Sequence, residues 1–319
     1  MTFRNNSLLC SRYHRAAAIL LLSFFVLFLF PFSSFAGLYE DALAALNKKS
    51  FQKAFQLFTK DAKQGNPESQ FMLGSLYAQG RGVKKNLSQA AHWHEQAAKQ
   101  DHPQAQYVLA IMYKEGEGVI KDPSQTLYWL EKAAQHNSPD AQYALAVMYD
   151  NGDGIPQDSD LALRFYEMAA TQDFPRAQTA MGLLAVHSNP PRFTEAVSWF
   201  EKAASQGDPQ AQCQLGILYE KGRGGLPRDY EQAARWYKKA VKQGDLAAHN
   251  ELGFLYYNGK GVPQDYILSY ALFSIANERG SAEAFQNCYI AASFLPPKLF
   301  EKARTLAKNP QKVYNMIGD

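Results

Sequence analysis

The chain has 319 residues, of which 46% are apolar, ample for a packed structure. Its formal charge of +3 comes from Arg4, Arg12 and Arg15, because residues 1–36 hold no acidic side chain and the rest balances Lys and Arg against Asp and Glu. A neutral remainder carries no electrostatic footprint for nucleic acid and excludes a polyanionic partner.

In chain order, residues 1–36 read as an export signal. A basic start is followed by the apolar run Ala16–Phe30, and Ser34 and Ala36 place small residues before Gly37. These are the three marks of a secretory signal peptide, here cleaved after Ala36, which predicts a periplasmic or secreted protein. The run is short for a spanning helix, and an uncleaved anchor in the inner membrane is the alternative. Beyond it only Cys213 and Cys288 remain, 75 residues apart, and they read as small buried hydrophobes, with a disulfide between them as the alternative. Residues 37–67 place Ser50, Ala54, Leu57 and Ala62 at helical spacing without a glycine turn, and read as a degenerate helix pair.

From Glu68 to Ser281 one phrase recurs: A-Q-x-x-L-G-x-x-Y-x-x-G-x-G-V-x-x-D-x-x-x-A-x-x-W-x-x-x-A-A. Its anchor falls at Leu73–Gly74, Leu109–Ala110, Leu145–Ala146, Met181–Gly182, Leu215–Gly216 and Leu252–Gly253, at intervals of 36, 36, 36, 34 and 37 residues. Such a period marks a stacked repeat, in which each unit buries its apolar face only against its neighbours. The first helix ends at a glycine turn such as Gly116-Glu-Gly118-Val119. Asn86, Asp122, Asp158, Asp229 and Asp265 then stand where an N-cap is wanted. The second helix carries an aromatic slot (Trp93, Trp129, Phe165, Trp199, Trp236) and Ala pairs such as Ala97–Ala98, predicting large rings wedged against Ala and Gly. Six repeats follow, 68–103, 104–139, 140–175, 176–209, 210–246 and 247–281. Residues 282–319 form a helical cap broken at Pro296–Pro297. The fourth unit departs from the phrase, with Ala185 in place of Tyr and His187-Ser-Asn-Pro-Pro-Arg192 in place of the turn. A local kink, a pocket for a partner's side chain, or tolerated drift in one unit of a redundant array accounts for it.

The recurring phrase resembles the Sel-1-like repeat family, a branch of the tetratricopeptide-like helical solenoids, over two-thirds of the chain. The resemblance implies an all-α fold, a right-handed superhelix of antiparallel helix pairs. It also implies a concave face, lined by the first helices, that receives a protein or peptide. By register from the Leu–Gly anchor, the partner-binding residues are Phe71, Tyr107, Ile111, Tyr143, Val147, Leu183, Ile217, Asn250, Phe254 and Tyr257, with charges such as Lys114, Asp150 and Glu220 near one edge. Burial as ordinary core is the other reading of these positions. Gln70, Gln106, Gln142, Gln178 and Gln212 form a ladder expected to join repeats rather than touch a ligand.

Catalytic chemistry is not visible. The Gly-x-Gly pairs follow no strand, and Gly253 to Lys260 misses the phosphate-loop spacing. His92 and His94 point to different sides of a helix, and the other histidines are scattered. No cofactor, no metal and no membrane contact beyond the export signal are expected. The resulting expectation is a non-catalytic scaffold or adaptor, exported to a bacterial envelope or beyond. The family resemblance suggests host-cell interaction or regulation of envelope enzymes as its setting. The alternatives are a structural envelope protein without a groove, or a peptidoglycan or β-lactam hydrolase.

Overall fold

The computed structural model describes residues 35–318, so the expected signal segment lies outside the described residues up to position 34. Among the described residues there are 17 α-helices and no strand, an all-α repeat solenoid. Two compact units divide it. One ends at His136 and the other starts at Asn137. The first holds α1 (Phe35–Asn47), α2 (Phe51–Ala62), α3 (Pro67–Gln79), α4 (Leu87–Ala98), α5 (Pro103–Glu115) and α6 (Pro123–Gln135). The second holds α7 (Pro139–Asn151), α8 (Ser159–Thr171), α9 (Pro175–His187), α10 (Phe193–Ser205), α11 (Pro209–Lys221), α12 (Tyr230–Lys242), α13 (Leu246–Asn258), α14 (Tyr266–Glu278), α15 (Ala282–Ser293), α16 (Pro297–Ala307) and α17 (Pro310–Ile317).

Local sequence sets the helix ends. Asn86, Asp122, Asp158, Asp229 and Asp265 cap the second helices through side-chain oxygens, as the phrase predicts. The first helices have a signal that the repeat phrase does not contain. Pro67, Pro103, Pro139, Pro175 and Pro209 open them, where a missing N–H is no loss. Glycines such as Gly80 and Gly116 end them in the left-handed conformation. The second glycine of the turn acts between repeats. A Cβ on Gly118 would stand 2.2 Å from the carbonyl oxygen of Leu87, and one on Gly261 2.2 Å from that of Tyr230. These turns therefore rest on the start of the second helix in the repeat before them.

The aromatic slot is corrected by one residue. The ring over the anchor glycine belongs to the residue after the slot: a Cβ on Gly182, Gly216 or Gly253 would meet Phe200, Tyr237 or Phe273 at 2.4 to 2.6 Å. Trp93, Trp199 and Trp236 pack against the core of the preceding repeat instead. Both contacts have helical period, so spacing alone could not separate the ring that holds a repeat together from the ring that stacks it.

The glutamine ladder joins repeats, as expected. Nε2 of Gln70, Gln106, Gln178 and Gln212 donates to the carbonyl of Ala62, Ala98, Ala170 and Ala204, each eight residues back in the preceding helix, at 3.1 to 3.3 Å. A second rail went unread in the sequence. Gln100, Gln172, Gln206 and Gln243 donate to the side-chain oxygens of Gln70, Gln142, Gln178 and Gln212 at 2.7 to 3.0 Å.

In the fourth unit Ala185 is fully buried within a cluster that includes Val197, Phe200 and Leu218. It presents no surface of its own to a partner. Elsewhere the turn is closed by a backbone bond from the capping residue to the tyrosine carbonyl, for example Asp122 N–H to Tyr113 at 3.1 Å. In the fourth unit Arg192 N–H donates to the Ala185 carbonyl at 2.9 Å. The turn needs the carbonyl and not the ring.

Candidate protein-binding face

The ten residues proposed to line a binding face fall into groups by register. Those two positions before the anchor leucine turn toward the next repeat. The ring of Phe71 stacks on His102 with centroids 4.8 Å apart and meets His94 at 5.4 Å. Tyr143 meets Phe174 at 5.5 Å, under the guanidinium of Arg176 at 4.8 Å. At the same register Thr179 Oγ1 donates to Asp208 at 2.9 Å. His102, Phe174 and Asp208 each sit at the N-cap position of the next first helix. Phe71 and Tyr143 meet an aromatic N-cap residue (His102, Phe174), and Thr179 meets an aspartate. Asn250 is a correction. It is 6% exposed and accepts from Nδ2 of Asn287 at 2.6 Å, so it serves the stack and is closed to a partner. Tyr107 is half-buried.

Those two positions after the leucine behave differently. Ile111 in the first unit, and Val147, Leu183, Ile217 and Phe254 in the second, are all half-buried. Their inner sides pack on the repeat cores, as with Val147, Leu183 and Ile217. Phe254 meets Phe273 edge-on at 5.1 Å. Tyr257, further along α13, joins Tyr266 and Phe294 in an aromatic cluster with centroids 5.0 to 5.4 Å apart.

Charge lies beside this ladder in the second unit. Glu220 accepts from the hydroxyl of Tyr237 at 2.9 Å, and Asp150 from Tyr166 at 3.4 Å. Burial raises the pKa of Glu251, and repulsion from Glu220 raises it further. A nearby cation would relieve that repulsion. The sequence reading placed Glu220 at the edge but missed Glu251, whose role depends on a neighbour 31 residues away.

The two most perturbed histidines are explained by packing. His94 is held at about 4 by burial and then by His102, and His249 at about 4 by burial. His249 takes the place of a ladder glutamine. Its Nδ1 lies 2.6 Å from the Asp245 carbonyl and its Nε2 3.0 Å from the Tyr314 hydroxyl. A carbonyl only accepts, so Nδ1 carries the proton and Nε2 accepts from Tyr314. No group of three or more His, Cys, Asp or Glu able to hold a metal is found among the described residues. Cys213 and Cys288 are both free thiols.

Comparison with known proteins follows the same periodicity. A family model described as the Sel1 repeat matches residues 47–66, 67–102, 103–138, 139–174, 175–208, 209–245 and 246–281. The chain belongs to the Sel1 repeat family. Its solved relatives include a Sel1 repeat protein from Oxalobacter formigenes, 32% identical with a TM-score of 0.70, aligned over 76% of this chain and 99% of that one. A protective antigen present in uropathogenic Escherichia coli strains, displaying an SLR fold, is 27% identical with a TM-score of 0.56, over 83% of this chain and 65% of that one. Curated proteins give no match. Sel1 repeats generally bind protein partners, and the family is generally non-catalytic.

Proposed function

We propose that this Sel1 repeat chain is an exported, non-catalytic adaptor that binds an extended protein segment along the first helices. The observation that carries the reading is the half-exposed ladder Val147, Leu183, Ile217 and Phe254, one residue per repeat at a fixed register. A segment with apolar side chains matches the ladder, and a basic residue beside them suits Glu220 and Glu251. The signal-like segment at residues 1–36 supports a periplasmic or secreted location, with an inner-membrane anchor as its alternative. Likeness to an antigen of uropathogenic strains supports a host-facing setting, and regulation of envelope enzymes is the other setting that fits an adaptor.

The test is affinity capture from envelope and host-cell lysates, with wild-type chain and with Leu183→Asp/Ile217→Asp as baits, both checked for helicity and melting temperature. A partner captured by the wild type and lost with the folded variant supports the ladder. Retention by both baits moves the interface off these helices. Capture of nothing from either lysate favours a purely structural role. N-terminal sequencing of the exported chain should begin at Gly37, and an intact Met1 would favour the anchored form.

A further inference from the structure

In the six repeats the first helix is covered by the second helix of its own pair, whereas α15 has no such cover. After Ser293 the chain breaks at Pro296–Pro297, and α16 returns against α14 instead of pairing with α15. Buried Ala284, Asn287 and Ala291 seat α15 on the sixth repeat, and its other side is left open. Of the ten large apolar side chains that stand exposed among the described residues, five are gathered here: Phe285, Tyr289, Ile290, Phe294 and Leu299. A cavity of about 610 Å³ opens beside them, lined jointly by Phe285 and Tyr289 of α15 and by Pro297 and Phe300 of α16. Residues 284–297 hold no charged side chain. Lys298, Lys302, Arg304, Lys308 and Lys312 then follow, all exposed, against Glu301 alone as far as Gly318. Residues 37–297 hold more acidic than basic side chains, so the positive charge is local to this end of the chain.

We infer that this face docks on the surface of a lipid bilayer that carries anionic headgroups. Exposed Phe, Tyr and Ile side chains suit the boundary between headgroups and acyl chains, where an apolar face lies in the plane of the membrane. Charge selects the occupant. Lys298 and Lys302 stand four apart, on one stripe of α16 that begins where the aromatic face ends. Lys302, Lys312 and Met316 line one further depression along α16 and α17. Four of the five cations are lysines, and Arg304 is already paired with Glu301 at 3.3 Å. Lysine is depleted at protein interfaces, whereas its long stem and compact charge suit a layer of anionic headgroups. Glu283, the other exposed acid here, stands at the far end of α15 from Lys298. No described helix is long and apolar enough to cross a membrane, so the contact is with the surface. It departs from the expectation of no membrane contact beyond the export signal, since its apolar and basic parts come from separate helices. It does not rest on the adaptor reading.

Cosedimentation with phosphatidylcholine vesicles, with and without phosphatidylglycerol, tests this, using the protein made from its full coding sequence and purified as the cell leaves it. The wild type should bind the vesicles that contain phosphatidylglycerol, and added salt should weaken that binding. Phe285→Ser/Tyr289→Ser, at exposed positions, should lose at least about tenfold in vesicle affinity with unchanged melting temperature. Lys298→Gln/Lys302→Gln should lose about fivefold per lysine, and Lys298→Arg/Lys302→Arg should retain the binding. Leu183→Asp/Ile217→Asp should leave it unchanged, which separates this face from the adaptor ladder. A wild type that binds neither vesicle overturns the proposal and leaves the face to a protein. Binding that survives both the serine and the glutamine pairs comes from another part of the chain, such as residues 1–36, and overturns it too. Equal binding to both kinds of vesicle rules out the headgroup charge as the partner of these lysines.

Discussion

At the scale of single residues, the second repeat holds a visible defect. The side-chain oxygen of Gln106 is buried and has no partner, because His136 stands where the other repeats supply Gln100, Gln172, Gln206 or Gln243. His136 instead lies 3.7 Å from the exposed Asp101, a contact of little worth in water. His136→Gln should therefore raise stability by about 1 kcal/mol, read as a higher melting temperature. An unchanged melt would mean that Gln106 is already satisfied. Gly118 is the opposite case. Its φ of 73° and the 2.2 Å approach to the Leu87 carbonyl leave no room for a methyl group. Gly118→Ala should lose about 2 kcal/mol or more in denaturant unfolding, with the same fold before the transition.

At the scale of elements, the junction of α2 and α3 uses a polar substitute for an apolar contact. Elsewhere the contact eight residues apart is made by alanines, such as Ala97 with Ala105 and Ala203 with Ala211, all fully buried. Here Asp61 and Ser69 occupy those places, both fully buried, and the Ser69 hydroxyl donates to Asp61 Oδ2. Ser69→Ala leaves the buried carboxyl without its donor and should destabilise by about 3 kcal/mol. Asp61→Ala/Ser69→Ala should return the chain to wild-type stability or above, because it restores the contact of the other repeats. A double variant no better than the single one would show that this junction needs its polar pair. The helix pairs themselves were legible in the sequence, since Leu–Gly, the glycine turn and the capping Asp are local signals. The second rail was not, because Gln100 acquires its meaning only from Gln70 in the neighbouring helix.

For the whole molecule, acid is the common weakness of the two units, since each holds a buried histidine whose pKa is lowered. His94 sits over Gly74 beside Phe71 and His102, and His249 sits between Asp245, Arg279 and Tyr314. Both folded values are lowered from 6.5 to about 4, so the unfolded chain takes up the protons first. Stability is intact above pH 6.5 and declines as pH falls from there toward 4, by about 3 kcal/mol per histidine at the lower end. His94→Phe, which copies the Gly253–Phe273 pairing, combined with His249→Gln, should flatten this part of the profile in pH-dependent denaturant unfolding. An equal slope in the variant would place the acid sensitivity in the carboxylates.

The sequence alone determined the all-α class, the repeat length, most helix ends and the joining role of the glutamines, because helical period and capping chemistry act over a few residues. Tertiary structure decided which side chains remain free. Phe71 and Tyr143 share a register with Thr179, yet what each touches is set by the N-cap position of the next repeat. Asn250 closes on Asn287, whereas Ile217 and Leu183 keep an open side. The exposure of Phe285 and Tyr289 follows from the path of α16 alone. Burial is a property of the surface that a neighbour covers, and in a stacked array that neighbour is about one repeat away in the chain.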